Sequence, residues 1–157
     1  MATINQQMPT PIRKFDSPQV YVAPAAGQTF VAGQPVALNA GGLVVAAATA
    51  AASVFGFAMA PAVDPMWNTP FTLVPVLKAK AGMRFYANLN GILSQVELGA
   101  QYGIIVNANG VWVIDPTNVT EKVFEIISLG QIPGYNGGGI GDTNPVVEVA
   151  LLSGAVA

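Results

Sequence analysis

"GGLVVAAATAAASVFGFAMAPA", Gly41 to Ala62, carries no charged side chain. How it is read decides the fold. No Asp, Glu, Lys or Arg occurs anywhere between Asp16 and Asp64. A membrane-spanning helix needs about 20 predominantly apolar residues, and Leu43 to Ala62 nearly reaches that length. Its composition argues otherwise. Most of the apolarity is alanine, which is weak on insertion scales, and no Lys or Arg flanks the stretch. It also divides into Leu43-Val44-Val45 and, beyond an Ala/Thr/Ser linker, Val54 to Ala60. In the second piece Phe55, Phe57 and Met59 alternate with Gly56, Ala58 and Ala60, and a period of two belongs to a strand. The expectation is two strands joined by a loose loop, Ala46 to Ser53, with no membrane partner.

Working outward, three segments repeat one pattern of extended run, Asn-containing turn ending in Gly, and second extended run. They are "PVALNAGGLVV" (Pro35 to Val45), "RFYANLNGILS" (Arg84 to Ser94) and "YGIIVNANGVWVI" (Tyr102 to Ile114). Asn-Gly and Gly-Gly supply the positive φ of tight turns, so each segment predicts a hairpin. Further strands are expected over Phe71 to Lys80, Lys122 to Leu129 and Val146 to Leu152. Pro75 would place the first of these at an edge or at a bulge. No long amphipathic helix is predicted. The expected fold is mainly β, a small antiparallel barrel or sandwich with long loops.

The first 26 residues differ from the rest. Pro9, Pro11, Pro18 and Pro24 bias their neighbours toward extended backbone, and little here could form a core. The chain therefore divides into an extended N-terminal arm, residues 1–26, and a β domain, residues 27–157. At 157 residues the chain has room for a real core.

Composition narrows the function. Only 9% of residues are charged, against about 25% in an ordinary soluble domain. Such a surface would struggle to stay dispersed alone, so partners are expected to cover much of it. The net charge of −2 and six basic residues argue against nucleic acid, which needs clustered Lys and Arg. There is no Cys and no His. Disulfides, thiolates, a Ser–His–acid triad and the commonest metal ligand are thereby excluded.

The eight acidic residues are scattered, and Asp115, Glu121, Glu125 and Asp142 read as solvated loop and strand-face residues. "GYNGGGIGDTNP" (Gly134 to Pro145) lacks the ending of a phosphate-binding loop and the spacing of a calcium loop. It reads as a long surface loop. No catalytic residue, cofactor or metal is expected, and the chain is not expected to be an enzyme. Most aromatics at alternating strand positions read as core, Trp112, Tyr86 and Tyr102 among them. Trp67, in the turn-rich "DPMWNTPF", is the aromatic expected to be exposed and to anchor an interface.

The succession "GQTFVAGQPVALNAGGLVV", "VFGFAMAPA", "AGMRFYANLNGILSQVELGAQYGI" and "NGVWVIDPTN" resembles the head decoration (cementing) proteins of tailed bacteriophages. Many of these are Ala/Gly/Val-rich, with a proline-dotted arm and a compact β domain described as a β-tulip. The resemblance implies a virion protein on the capsid exterior, made in the host cytoplasm, that bridges neighbouring major capsid protein subunits and stabilises the expanded head. It also implies a homo-oligomer, commonly a trimer, with a dimer as the other possibility. On this reading the contacts to coat or to other copies fall on Thr10, Pro11, Ile12, Arg13, Lys14, Phe15, Val20, Tyr21, Trp67 and Tyr135. The alternative is a carbohydrate- or host-binding surface or fibre module, which would require exposed aromatics.

Overall fold

The structure, a computed structural model, describes residues 3–4, 6, 10–11, 18–107, 111–129 and 139–157. It is mainly β. Its strands are β1 (Thr10–Pro11), β2 (Gln19–Val22), β3 (Pro35–Leu38), β4 (Val44–Ala46), β5 (Gly56–Ala58), β6 (Val74–Lys78), β7 (Arg84–Asn88), β8 (Gln101–Val106), β9 (Trp112–Asp115), β10 (Phe124–Ser128) and β11 (Val146–Leu151). They form two antiparallel sheets. One has six strands in the order β1-β7-β11-β10-β8-β9, the other five in the order β2-β6-β5-β3-β4. Helix is limited to two short 3-10 turns, Gln95–Glu97 and Ser153–Ala155, among the described residues.

Gly41 to Ala62 resolves into two strands. β4 pairs back on β3, with Leu38 opposite Val44. The turn between them closes because the Asn39 Oδ1 accepts from the Gly41 and Leu43 amides at 2.9 and 3.0 Å, while Gly42 supplies φ +75°. β5 lies at the centre of its sheet between β3 and β6. The large–small alternation has a steric origin there. A Cβ on Gly56 would collide with the Leu77 carbonyl oxygen and lie 2.6 Å from Val76 Cγ1.

The linker between β4 and β5 is not loose. Ala50 donates to the Ile104 carbonyl at 3.1 Å, and the Val106 amide donates to Thr49 Oγ1 at 3.4 Å. β10 pairs with β8 only through Phe124–Tyr102 and Glu125–Gln101. The alanine-rich segment takes over the remaining edge of β8, and Ala47 is buried.

Of the three predicted hairpins, two form. β8 and β9 pair from Gly103–Asp115 to Val106–Trp112. Arg84 to Ser94 does not close on itself: β7 pairs with β11 over five residues and with β1 on its other side. After Asn88 the chain bends at Gly91, φ 137°, and Ile92 bridges to Thr143. The Asn-Gly signal marks the bend. The partner is β11, whose Val147 and Val149 lie opposite Ala87 and Phe85 and are buried with them in one cluster.

Pro75 also departs from expectation, since β6 is flanked by β2 and β5. Its carbonyl accepts from Met59 at 2.9 Å, immediately beyond β5. An amide at this position would donate to the Met59 carbonyl, so the proline removes one ladder bond at the point where β5 ends.

The six-stranded sheet is a curled half-barrel in which a parallel bridge links Leu89, just past β7, to Ile114 of β9. One face carries Phe85, Ala87, Leu89, Ile104, Trp112, Ile114, Phe124, Ile126, Val147, Val149 and Leu151, all buried in one cluster. Phe57, Ala47, Val54 and Ala79, from outside that sheet, join the cluster, as do Met83, Leu93, Val123 and Ala155. The rings of Phe57, Phe85 and Phe124 meet at centroid distances of 4.3, 5.5 and 6.4 Å. Each such buried ring stabilises the fold by about 1.5–3 kcal/mol through transfer from water.

A smaller cluster of Phe30, Val36, Val44, Ala58, Ala62, Val74 and Val76 lies on the other side of the five-stranded sheet. Val20 and Val22 pack against it. The described part of residues 1–26 is thus extended and laid on the protein itself. β1 and β2 each join a sheet, Pro24 bridges to Val44 in parallel, and Ile4 donates to the Thr143 carbonyl at 2.8 Å.

Candidate interaction surface

Three strands end or begin together at one end of the five-stranded sheet. Val22 of β2 lies opposite Val74, where β6 begins, and Ala58 of β5 lies opposite Val76. The 59–73 connection leaves and returns at this end. Alternation then assigns side chains to two faces. Val20, Val22, Val74, Val76 and Ala58 point to the smaller core, so Gln19, Tyr21, Leu73, Pro75, Leu77, Phe57 and Met59 point the other way.

On that second face Phe57 is buried in the half-barrel's cluster and Leu77, half-buried, packs against it. Further along the same strands nothing among the described residues covers the face. Tyr21, opposite Pro75, is 64% exposed, Leu73 is 53% exposed, and Met59 is also exposed.

The 59–73 connection is built as a stiff projection. Its base is fixed by Ala62 donating to Phe30 and Phe71 donating to Ala62, each at 3.0 Å, and by a bridge between Val63 and Pro70. Phe30 and Ala62 are core, with Val63 and Phe71 packed against them. Its tip is closed by Asp64. The Asp64 Oδ1 accepts from the Met66 amide at 2.8 Å and the Trp67 amide at 3.4 Å, and its carbonyl accepts from Asn68 at 2.8 Å. An Asp that binds amides two residues on is the mechanism by which Asp initiates turns. Asn68 adopts φ 51°, which Asn tolerates.

The turn displays Met66 and Trp67, 79% and 71% exposed. Asp64 is the single charged residue between Asp16 and Lys78. A largely uncharged, aromatic and thioether-bearing surface on a fixed turn is suited to burial against another protein.

Among the sequence-predicted contact residues, Tyr21 and Trp67 fall at this end, both exposed. Val20 belongs to the same strand but faces the smaller core. Thr10 and Pro11 form β1 beside β7, at the edge of the other sheet. Ile12, Arg13, Lys14, Phe15 and Tyr135 lie outside the described residues. Met59, Met66 and Leu73 carry no sequence signal of their own. Leu73 and Pro75 alternate with Val74 and Val76, and sequence alone does not say which of two apolar faces is covered.

The polar groups elsewhere serve local structure. Asp115 is buried, against expectation, and its Oδ1 accepts from the Thr117 amide and hydroxyl at 3.0 and 2.7 Å. Asp142 Oδ2 accepts from the Gly139 amide at 2.7 Å. Arg84 and Glu148 pair at 2.9 Å on the half-barrel's outer surface. Burial, and then the Glu97 carboxylate, hold the Tyr102 hydroxyl above its ordinary value of 10.0.

Gln101, Thr120, Glu121, Lys122 and Ser153 line a depression of about 440 Å³. Among the described residues no three acidic side chains converge as a metal site would require. No helix among them is long and apolar enough to cross a membrane. Neither a scan against protein-family models nor a search of curated proteins returned a match.

Proposed function

We propose that the chain is a structural virion protein. It binds the outer surface of a bacteriophage capsid, cements neighbouring major capsid protein subunits, and associates with copies of itself. The observation that carries this reading is the uncovered apolar end of the five-stranded sheet, where Tyr21, Met59, Leu73, Met66 and Trp67 stand exposed. Fully exposed, such a surface would promote aggregation; buried in a lattice, it supplies adhesion. The low charge of the whole chain and the resemblance to head decoration proteins support the same conclusion. No chemistry is required of the protein in this role, only rigidity and a matching partner.

The test is co-sedimentation of purified protein with expanded capsids stripped of decoration. Saturable binding at a fixed ratio to coat protein is expected, with Trp67→Ala weakening it by at least tenfold. A folded protein that ignores such capsids and instead binds a glycan through Trp67 and Tyr21 would replace this reading with that of a surface-binding module.

A further inference from the structure

The hydrogen-bond accounting of β2 leaves a remainder. Lys78 donates to the Pro18 carbonyl at 2.9 Å. In an antiparallel ladder alternate residues turn both backbone groups to the same neighbour. The register Gln19–Leu77 to Val22–Val74 then turns Val20 and Val22 toward β6, and Gln19 and Tyr21 away from it. The far side of β6 agrees, since Met59 donates to Pro75 and Ala79 donates to Phe55, next to β5.

One residue past β2, the outward-facing Ala23 is already engaged by the Val44 amide at 2.9 Å. The open edge is therefore two residues wide. The N–H and C=O groups of Gln19 and Tyr21 have no hydrogen-bond partner among the described residues. Nothing charged among the described residues guards this edge: β2 reads Gln-Val-Tyr-Val, without the Lys, Glu or bulge that keeps exposed strands apart.

We propose that two copies of the chain join through this edge, β2 against β2, antiparallel about a two-fold axis at Val20. This names the contact behind the self-association in the reading above and rests on that part of it. The geometry favours a second copy over a foreign strand. With Gln19 facing Tyr21 of the second copy, the four free groups on each strand pair completely and none is left over. The side chains match as well: the Gln19 amide already donates to the Tyr21 hydroxyl at 3.3 Å within one strand, and the two-fold pairing sets the same two groups opposite each other across the seam. A two-fold axis places identical residues close together, which like charges would oppose; β2 has none. The contact would join two five-stranded sheets and set the two Tyr21–Pro75 rows side by side.

The experiment measures mass in solution across a concentration series, by sedimentation equilibrium, for the full chain and two variants. Gln19→Pro removes an amide that β6 does not use and fills the edge with a ring, so the fold, checked by circular dichroism and thermal melting, is retained. Val20→Cys introduces a lone thiol into a chain without cysteine. At the axis it would meet its equivalent as a non-hydrogen-bonded pair, with Cβ atoms about 4.5–5.5 Å apart, close enough to oxidise to a disulfide. Expected are a wild-type dimer, dimerisation weakened at least tenfold in Gln19→Pro, and an oxidised dimer of Val20→Cys.

A wild-type monomer at every concentration, a trimer, or a dimer indifferent to Gln19→Pro overturns the proposal. Capsid co-sedimentation is scored separately. A monomer whose capsid binding is lost in Gln19→Pro would assign the edge to a coat strand and overturn the second copy as occupant. A β2-linked dimer that ignores capsids would leave this contact standing and remove the capsid role.

Discussion

Phe57 and Met59 are two residues apart and turn toward the same face of the five-stranded sheet, yet one is buried and the other is exposed. The same contrast runs across the sheet, with half-buried Leu77 packed against the larger cluster and Tyr21 and Leu73 left toward solvent. The half-barrel covers one end of this face and stops short of the other. An apolar strand face has the same chemistry along its length. Whether it becomes core or contact surface depends on how far the second layer reaches.

Four substitutions test the difference between the covered and uncovered ends. The largest effect is expected at the covered end. Phe57→Ala removes a ring packed on Phe85 at 4.3 Å and should cost about 3–5 kcal/mol, read from urea denaturation. A loss under about 1 kcal/mol would mean that the two layers do not share a core. Next is Gly56→Ala, where the added Cβ meets the β6 backbone and Val76. A destabilisation of about 1–3 kcal/mol is expected as the sheet is forced apart.

At the uncovered end, Asp64→Ala releases the amides of Met66 and Trp67. A cost of about 0.5–2 kcal/mol, typical of a lost cap, is expected. Proteolytic nicking near the tip should rise with it. Trp67→Ala is the smallest: stability should stay within about 0.5 kcal/mol of wild type, while binding to capsids falls. A large stability loss in Trp67→Ala would show that the residue is structural and end its role as an anchor.

The covered face also has a pH signature. Tyr102 packs against the larger cluster, and its hydroxyl pKa is raised above 10.0 in the folded state. Between that value and the raised one, the folded protein binds more protons than the unfolded chain. Stability is therefore intact below about pH 10 and falls as pH rises above it. Tyr102→Phe should remove this share of the alkaline loss, measured as the difference in melting temperature between pH 8 and pH 11.

Much of the fold was legible because its signals are local. The period-two alternation of Val54 to Ala60 gave β5. Asn39 with Gly42 gave the β3–β4 turn, and "NANG" placed the β8–β9 turn. The same reasoning failed for Arg84 to Ser94, where a local turn signal was followed but the pairing was long-range. It also failed for the alanine-rich linker: alanine carries little pattern, and the linker's order comes from β8, more than fifty residues away. Asp115 read as solvated because nothing in the sequence shows that Thr117 would close over it in a buried strand. For the surface, Trp67 was legible as an aromatic in a turn-rich stretch, whereas Leu73 and Met59 looked like any other strand residue.

By itself, the sequence determined the class of structure and a composition poor in charge. Each follows from backbone preferences and composition, which act over a few residues at a time. The tertiary structure decided which apolar residues lie beneath the half-barrel and which stand clear of it, and it alone left the backbone groups of Gln19 and Tyr21 without partners among the described residues. Layer coverage and strand order are set by contacts between residues far apart in the chain. No local pattern of alternation encodes where the covering layer ends.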